Sequence, residues 1–342
     1  MKKVTPISSR KADHIRINLE ESVRSGLTTG LEHYNFIHRA LPELNLNDVD
    51  LNLQLFGRTL HAPILISSMT GGNDEAMVIN QTLASSAQET GVALGVGSQR
   101  AAIEHPELAY TFKVRHLAPD VLLFANLGAI QLNYGYSLEQ CLKAVEMIEA
   151  DALIFHFNPL QEALQSEGNT NFSGILKKVE KICHSLSIPV IAKEVGWGFS
   201  EQDIRLLKDI GIAAIDVAGA GGTSWSQVEM HRAGDEYQAQ LAAAFVDWGI
   251  PTSKVIIDVR NIAPELEIFA SGGLRSGVDI AKCIALGATL GGMANPFLKA
   301  VSRSPEATIQ TIKEIQREIQ ICMFAAGVRN LNALRTIELA YD

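Results

Sequence analysis

Cysteine is scarce in this chain of 342 residues. Its four cysteines (Cys141, Cys183, Cys283 and Cys322) lie far apart and form no CxxC pair. That argues against a zinc site or a disulfide framework and for reduced, mostly buried thiols. No uncharged apolar stretch reaches the ~20 residues a membrane helix needs. The basic N-terminal stretch lacks the apolar core of a secretory signal, so the expected location is cytoplasmic. Positive charge is not in excess either: 29 Lys+Arg against 38 Asp+Glu leave a net charge of −9. A general nucleic-acid or anionic-membrane binder is thereby disfavoured, while a local basic pocket for a small anion is not. There is no GxxxxGK[ST] loop for a nucleoside triphosphate, no low-complexity tract and no linker-like stretch. The length would allow two domains, but these features favour one domain over residues 1–342, with residues 1–60 as an N-terminal extension.

What is present is an alternation. Eight short runs of aliphatic and β-branched residues occupy positions 63–69, 92–96, 121–126, 152–158, 189–194, 213–218, 266–271 and 288–293. Most are continuously apolar, as parallel strands buried on both faces are. Amphipathic segments such as 137–150, 174–186, 200–210 and 277–286 lie between them. Eight β–α units in series predict an α/β fold, the (β/α)8 TIM barrel, with a doubly wound sheet as the competitor. The alternation in 50–55 suggests a short strand capping the barrel bottom. Residues 304–324 read as a closing helix with Pro305 near its start.

In such a barrel the chemistry collects at the C-terminal ends of the strands. Polar and glycine residues do gather there. The first run ends in SerSerMetThrGlyGlyAsn (67–73), the second in GlySerGlnArg (97–100) and the third at Asn126. His156, Asn158, Gln161 and Glu162 follow the fourth. The glycine turns after the seventh and eighth runs, SerGlyGlyLeuArg (271–275) and GlyMetAlaAsnPro (292–296), would let backbone amides approach a phosphate. They could equally do no more than end strands and start helices. Lys193 sits inside an apolar strand, where an unpaired ammonium is costly. It is a Schiff-base nucleophile, a fixed positive charge beside a flavin, or the partner of Glu194, Asp216 or Glu229. On the residues alone, Glu162 reads as a solvated acid at a helix start, and Arg10 and Lys11 as a solvated tail.

Seven segments taken in order resemble the type 2 isopentenyl diphosphate isomerases. They are ArgLysAlaAspHisIle (10–15), SerMetThrGlyGly (68–72), GlySerGlnArg (97–100), HisPheAsnProLeuGlnGlu (156–162), LysGluValGlyTrpGly (193–198), GlyAlaGlyGlyThrSerTrp (219–225) and SerGlyGlyLeuArg (271–275). The likeness spans about residues 8 to 330. It implies an isomerase of isoprenoid biosynthesis that interconverts isopentenyl and dimethylallyl diphosphates, with reduced FMN, Mg²⁺ and NADPH as reductant. By the same resemblance, Ser67, Ser68, Met69, Thr70, Ser98, Asn126, Lys193 and Thr223 would contact FMN. Gly273, Leu274, Arg275, Ala294 and Asn295 would hold its phosphate. The diphosphate substrate would contact Arg10, Lys11, Ser98, Gln99, Arg100, His156, Asn158 and Gln161. Glu162 would be the Mg²⁺ ligand, and Gln161 and Lys193 the catalytic residues. A homo-oligomer, tetramer or octamer, is expected from the resemblance only. Two positions depart from the family: Ala218 stands where Ser is frequent, and Phe157 replaces the commoner Leu. The alternatives are an FMN-dependent oxidoreductase of the hydroxy-acid oxidase type and an inactive flavin or phosphate sensor.

Overall fold

A computed structural model describes residues 6–342. The first five residues of the N-terminal extension lie outside the described residues. Each of the eight apolar runs coincides with one barrel strand, the third strand running two residues past its run: β1 Ile64–Ile66, β2 Ala93–Gly95, β3 Leu123–Gly128, β4 Ala152–His156, β5 Val190–Lys193, β6 Ala214–Asp216, β7 Glu267–Ala270 and β8 Leu290–Met293. Neighbours in sequence are neighbours in the ring, and β8 pairs in parallel with β1 to close it. The closed parallel barrel with surrounding helices is the (β/α)8 architecture. Where a run outlasts its strand at the C-terminal end, as at 67–69, 157–158 and 217–218, its last residues turn out of the ladder into the loops that build the site.

The helical periodicity also holds. Segments 137–150, 174–186, 200–210 and 277–286 contain helices Leu138–Ile148, Ile175–Ser185, Glu201–Lys208 and Gly277–Ala285. Ser137 and Ser200 start two of them with capping boxes, satisfying backbone N–H groups that have no partner inside the helix. The closing helix runs Pro305–Ala326. It packs on the helix Asp74–Thr90 and on Gly277–Ala285.

The barrel interior is filled rather than open. The rings of Phe124 and Phe269 stack with centroids 5.8 Å apart. Below them, Leu53–Leu55 pairs antiparallel with Arg58–Leu60. This is the strand expected in 50–55, and it is one arm of a hairpin. Phe56 and Gly57 make its two-residue turn at φ 48° and 79°, the left-handed values a tight hairpin requires. The Phe56 ring comes within 6.2 Å of Phe269, so the hairpin plugs the end of the barrel away from the polar loops.

Four further helices concern the mouth. Helix α1, Pro6–Glu20, belongs to the extension. Helices α2 (Pro159–Leu164), α3 (Trp225–Arg232) and α4 (Asn295–Val301) follow β4, β6 and β8. Helix α1 packs on α3 and α4, which brings the start of the chain to the C-terminal end of the barrel. No helical periodicity in the extension announced α1, because its apolar positions are few. Tyr34–Phe36 pairs with Leu339–Tyr341, a long-range contact that sequence patterns do not reveal.

Candidate active site

The strand ends, α1 and the segment after it surround one cavity of about 1030 Å³. Every site residue expected from the sequence lines it except Gln99. A second cavity, of about 580 Å³, lies against Ile103, Arg115 and Met147 and holds none of them. Gln99 is fully buried. Its amide nitrogen donates to Ala144 O at 2.8 Å, and its carbonyl accepts the Asn126 N–H at 3.0 Å. The side chain thus ties the turn carrying Ser98 and Arg100 to the wall behind it, and it does not reach into the cavity.

The pairing of Lys193 follows from register. Lys193 of β5 stands opposite Asp216 of β6, on the same face. The ammonium donates to Asp216 Oδ2 at 2.6 Å and to Ser271 Oγ at 3.1 Å. Ser271 Oγ in turn donates to Asp216 Oδ1. Of the three partners considered from the sequence, Asp216 is the one used. Glu194 is the next residue along, so its side chain leaves the opposite side of the strand. Its Oε2 accepts the backbone N–H groups of Val195, Gly196, Trp197 and Gly198 at 2.6–3.1 Å. Burial pushes this carboxyl up to about 7, against the pull of those four donors. An ammonium locked to a fully buried carboxylate suits a fixed charge and not an amine nucleophile.

At the β4 end, His156 stands beside Lys193 and Gly128 in the ladder. Its Nδ1 lies 2.8 Å from Asn126 Oδ1. Burial, then the charges of Lys193, Lys11 and Arg10, push the imidazole down to about 4. A neutral ring beside a carbonyl oxygen carries its proton on Nδ1, leaving Nε2 as an acceptor. One turn on, Asn158 Nδ2 donates to Gln161 Oε1 and Glu162 Oε1, both at 3.1 Å. Glu162 Oε2 takes the Asn169 N–H at 2.6 Å. Glu162 is buried, not solvated, which corrects the helix-start reading of that residue.

The basic pair of the extension is likewise no solvated tail. Arg10 Nη1 donates to Gln165 Oε1 at 3.1 Å. Lys11 Nζ donates to Ser98 O at 2.8 Å and sits 5.0 Å from the Phe112 ring centroid. Burial, then the neighbouring Arg10 charge, lowers the Lys11 ammonium to about 7. Arg100 completes the group and is held by Glu104 at 2.7 Å.

Glu229 is the residue whose role the sequence did not disclose. It is buried in α3. Its Oε1 accepts from Gln161 Nε2 at 3.2 Å and Gln165 Nε2 at 2.7 Å, and lies 3.2 Å from His14 Nε2. Its Oε2 accepts from Arg232 at 2.8 Å. Although burial opposes it, the contacts from His14, Arg232 and Gln161 bring the carboxyl down to about 2. One ionised group therefore orients the Gln161 amide and pins α1. The only hint in the sequence is a lone acid in the helix after GlyGlyThrSerTrp.

The site also contains groups without partners. The hydroxyls of Ser67, Ser68 and Thr70 and the Asn158 amide oxygen are buried with no hydrogen-bond partner among the described residues. Buried polar atoms are normally satisfied, so these mark where a polar ligand docks. Gly272 and Gly273 hold φ of 100° and 83°. A Cβ on Gly272 would stand 2.1 Å from Gly219 O, so only glycine allows the loops to meet. This donor set fits the ring and phosphate of a flavin nucleotide. For a metal the described residues offer no cluster of three or more His, Cys, Asp or Glu. Glu162 alone fits Mg²⁺ that draws its other ligands from water and phosphate oxygens.

Residues 139–340 match the family model of FMN-dependent dehydrogenase. The chain is 54% identical over 329 residues, 96% of this chain and 94% of the relative, to the isopentenyl-diphosphate delta-isomerase of Nostoc sp.. It is 52% identical to the enzyme of that name from Synechocystis sp., over 96% of this chain and 95% of the relative. For Rickettsia bellii the identity is 47%, over 96% of each chain. Among solved structures, a mandelate oxidase variant with 4-Br-2-hydroxy-methylphenylacetate is similar at TM-score 0.69 and 19% identity, covering 98% of this chain and 99% of that one. Another mandelate oxidase variant, with 2-hydroxy-phenylacetamide, gives TM-score 0.67 at 17% identity, over 99% of each chain. At such identities the likeness is one of fold.

Proposed function

The chain belongs to the FMN-dependent, type 2 family of isopentenyl-diphosphate delta-isomerases, and from that premise we propose that it interconverts isopentenyl and dimethylallyl diphosphates with reduced FMN and Mg²⁺. NADPH is the proposed reductant. The protein works in the cytoplasm as a homo-oligomer of single-domain subunits. The observation that carries this reading is the composition of the cavity at the strand ends. Its lining joins the unpartnered hydroxyls of Ser67, Ser68 and Thr70 and the Lys193 ammonium to the three cations Arg10, Lys11 and Arg100 and the acid Glu162.

The reaction moves a double bond by adding a proton at one carbon and removing one at another, through a carbocation-like state. Reduced FMN, when bound, supplies electron density and a proton donor beside the alkene. Ser67, Ser68, Met69, Thr70, Ser98, Asn126 and Thr223 hold the flavin ring. Gly273, Leu274, Arg275, Ala294 and Asn295 hold its phosphate. Lys193, fixed by Asp216, provides the positive charge that favours the reduced anionic flavin. Arg10, Lys11, Ser98, Arg100, His156 and Asn158 anchor the diphosphate, which supplies binding energy remote from the reacting carbons. Gln99 supports this group from behind by holding the Ser98–Arg100 turn. Glu162 would hold Mg²⁺, which would offset the charge of the diphosphate. Gln161, oriented by Glu229 and Asn158, positions a proton near the alkene. Helix α1 with His14 and Trp225 excludes water, which would trap the cation as an alcohol.

The test is incubation with isopentenyl diphosphate, FMN, Mg²⁺ and a reductant, followed by product analysis. Dimethylallyl diphosphate is expected only when the flavin is reduced. Full turnover in air with oxidised FMN and no reductant would refute the requirement.

Glu162→Gln tests the metal assignment. It removes the charge and keeps one amide oxygen, which can still accept from Asn158 or from Asn169 but not from both. The Mg²⁺ concentration for half-maximal activity is expected to rise about tenfold or more, while flavin affinity stays the same. An unchanged metal titration would take Glu162 out of the metal site.

A further inference from the structure

The N-terminal extension covers the cavity twice. Helix α1 brings Arg10 and Lys11 to it. The strap that follows, residues 21–28, runs on along the same cavity, where Ser22, Arg24, Leu27 and Thr28 line the wall. Its backbone is stitched to the glycine loop after β6. Ser25 N–H donates to Gly222 O at 2.8 Å, and Ser224 N–H donates to Val23 O at 2.8 Å. Arg24 and Thr223 form an antiparallel bridge. Thr29 then closes against both glycine loops. A Cβ on Gly221 would stand 2.4 Å from Thr29 N, and one on Gly273 would stand 2.6 Å from Thr29 Cγ2. The strap is therefore a third wall of the cleft whose other walls are the turns after β6 and β7.

That wall carries a cation. Arg24 is exposed at the cavity, and its guanidinium has no acid or carbonyl partner among the described residues. Arg275 and Lys299 line the same cavity. Glu32 is the acid that faces Arg275, and Thr28 holds its carboxylate. A free, forked donor beside glycine turns whose amides can close on an anion is the arrangement that binds phosphate.

We propose that Arg24 binds the phosphate of the flavin from the strap, so that cofactor loading fixes the strap and, through it, the helix that presents Arg10 and Lys11 to the substrate. This rests on the reading that FMN is the cofactor. Riboflavin, which lacks the phosphate, separates the contact from general support of the fold. Arg24→Ala is expected to weaken FMN binding by about ten- to a hundredfold, the loss of one charge-assisted contact, and to leave riboflavin binding unchanged. Arg24→Lys should recover part of the loss. In the unaltered protein, FMN should slow tryptic cleavage after Arg16 more than riboflavin at equal occupancy, and Arg24→Ala should erase that difference. Equal weakening of both flavins, or no weakening of either, overturns the proposal. So does protection that is independent of the phosphate. Failure of the unaltered protein to bind FMN at all would remove the flavin reading itself, and this proposal with it.

Discussion

Lys193→Met is expected to lose flavin retention and activity together, and to cost stability as well. The stability loss follows from Asp216, which has no exposed surface and pairs with the Lys193 ammonium at 2.6 Å. Removing one partner of a buried ion pair strands the other, at about 3–5 kcal/mol. A single variant would then confuse a missing charge with a damaged fold. The double variant Lys193→Met, Asp216→Asn separates them. It removes the stranded charge and should recover most of the lost stability, read as the midpoint of denaturant unfolding. Ser271 stays available to hydrogen-bond the new amide. Activity should not return, because a charge acting on the developing transition state is worth on the order of 10²- to 10³-fold. A double variant that regained both flavin and activity would show that the pair is structural only.

The second large effect is expected from Arg10→Ala with Lys11→Ala. Each charge-assisted contact to a diphosphate is worth ~1.5–3 kcal/mol. Losing the pair should therefore raise KM by at least about a hundredfold. Flavin content should stay normal, because neither residue belongs to the group proposed for the ring or its phosphate. Some loss of kcat is expected too, since α1 shields the site from water. The pH dependence has a definite sign. Lys11 is lowered to about 7 by burial beside Arg10, so it is partly neutral in the free protein at neutral pH. Diphosphate favours the charged form, so binding takes up a proton, and affinity should fall as pH rises above about 7. The Lys11→Ala single variant should flatten that slope. A double variant with unaltered KM and kcat would return the pair to a solvated tail.

The barrel was legible because continuous apolar runs alternating with amphipathic segments leave few other solutions. The site was legible in part for a related reason: strand ends are where polar residues can escape the core. Lys193 stood out as a charge inside an apolar run, but its partner did not, because the register that sets Asp216 opposite it is a property of the closed sheet. Gln99 shows the opposite error. It sits between two residues that reach the cavity, yet at the start of the helix Arg100–Glu104 its side chain is held in the wall by Ala144 O and the Asn126 N–H. Helix α1 was invisible as a helix, and only the resemblance placed Arg10 and Lys11 at the substrate. Glu229 was weighed only as a partner of Lys193, and its actual role was missed because it comes from convergence of elements far apart in the chain.

That convergence has a consequence for how relatives of this chain diverge. The Glu229 carboxylate is shared by His14 of the extension, Gln161 and Gln165 beside β4, and Arg232 of its own helix, and Gln165 also receives Arg10. A replacement at any one of these positions leaves a buried donor or acceptor without its counterpart, at about 1–3 kcal/mol. Drift at one is thus tolerated only with a matching change at another. Across a large set of related sequences, positions 14, 161, 165, 229 and 232 should vary as a block, while neighbours of equal burial but purely apolar contact vary singly.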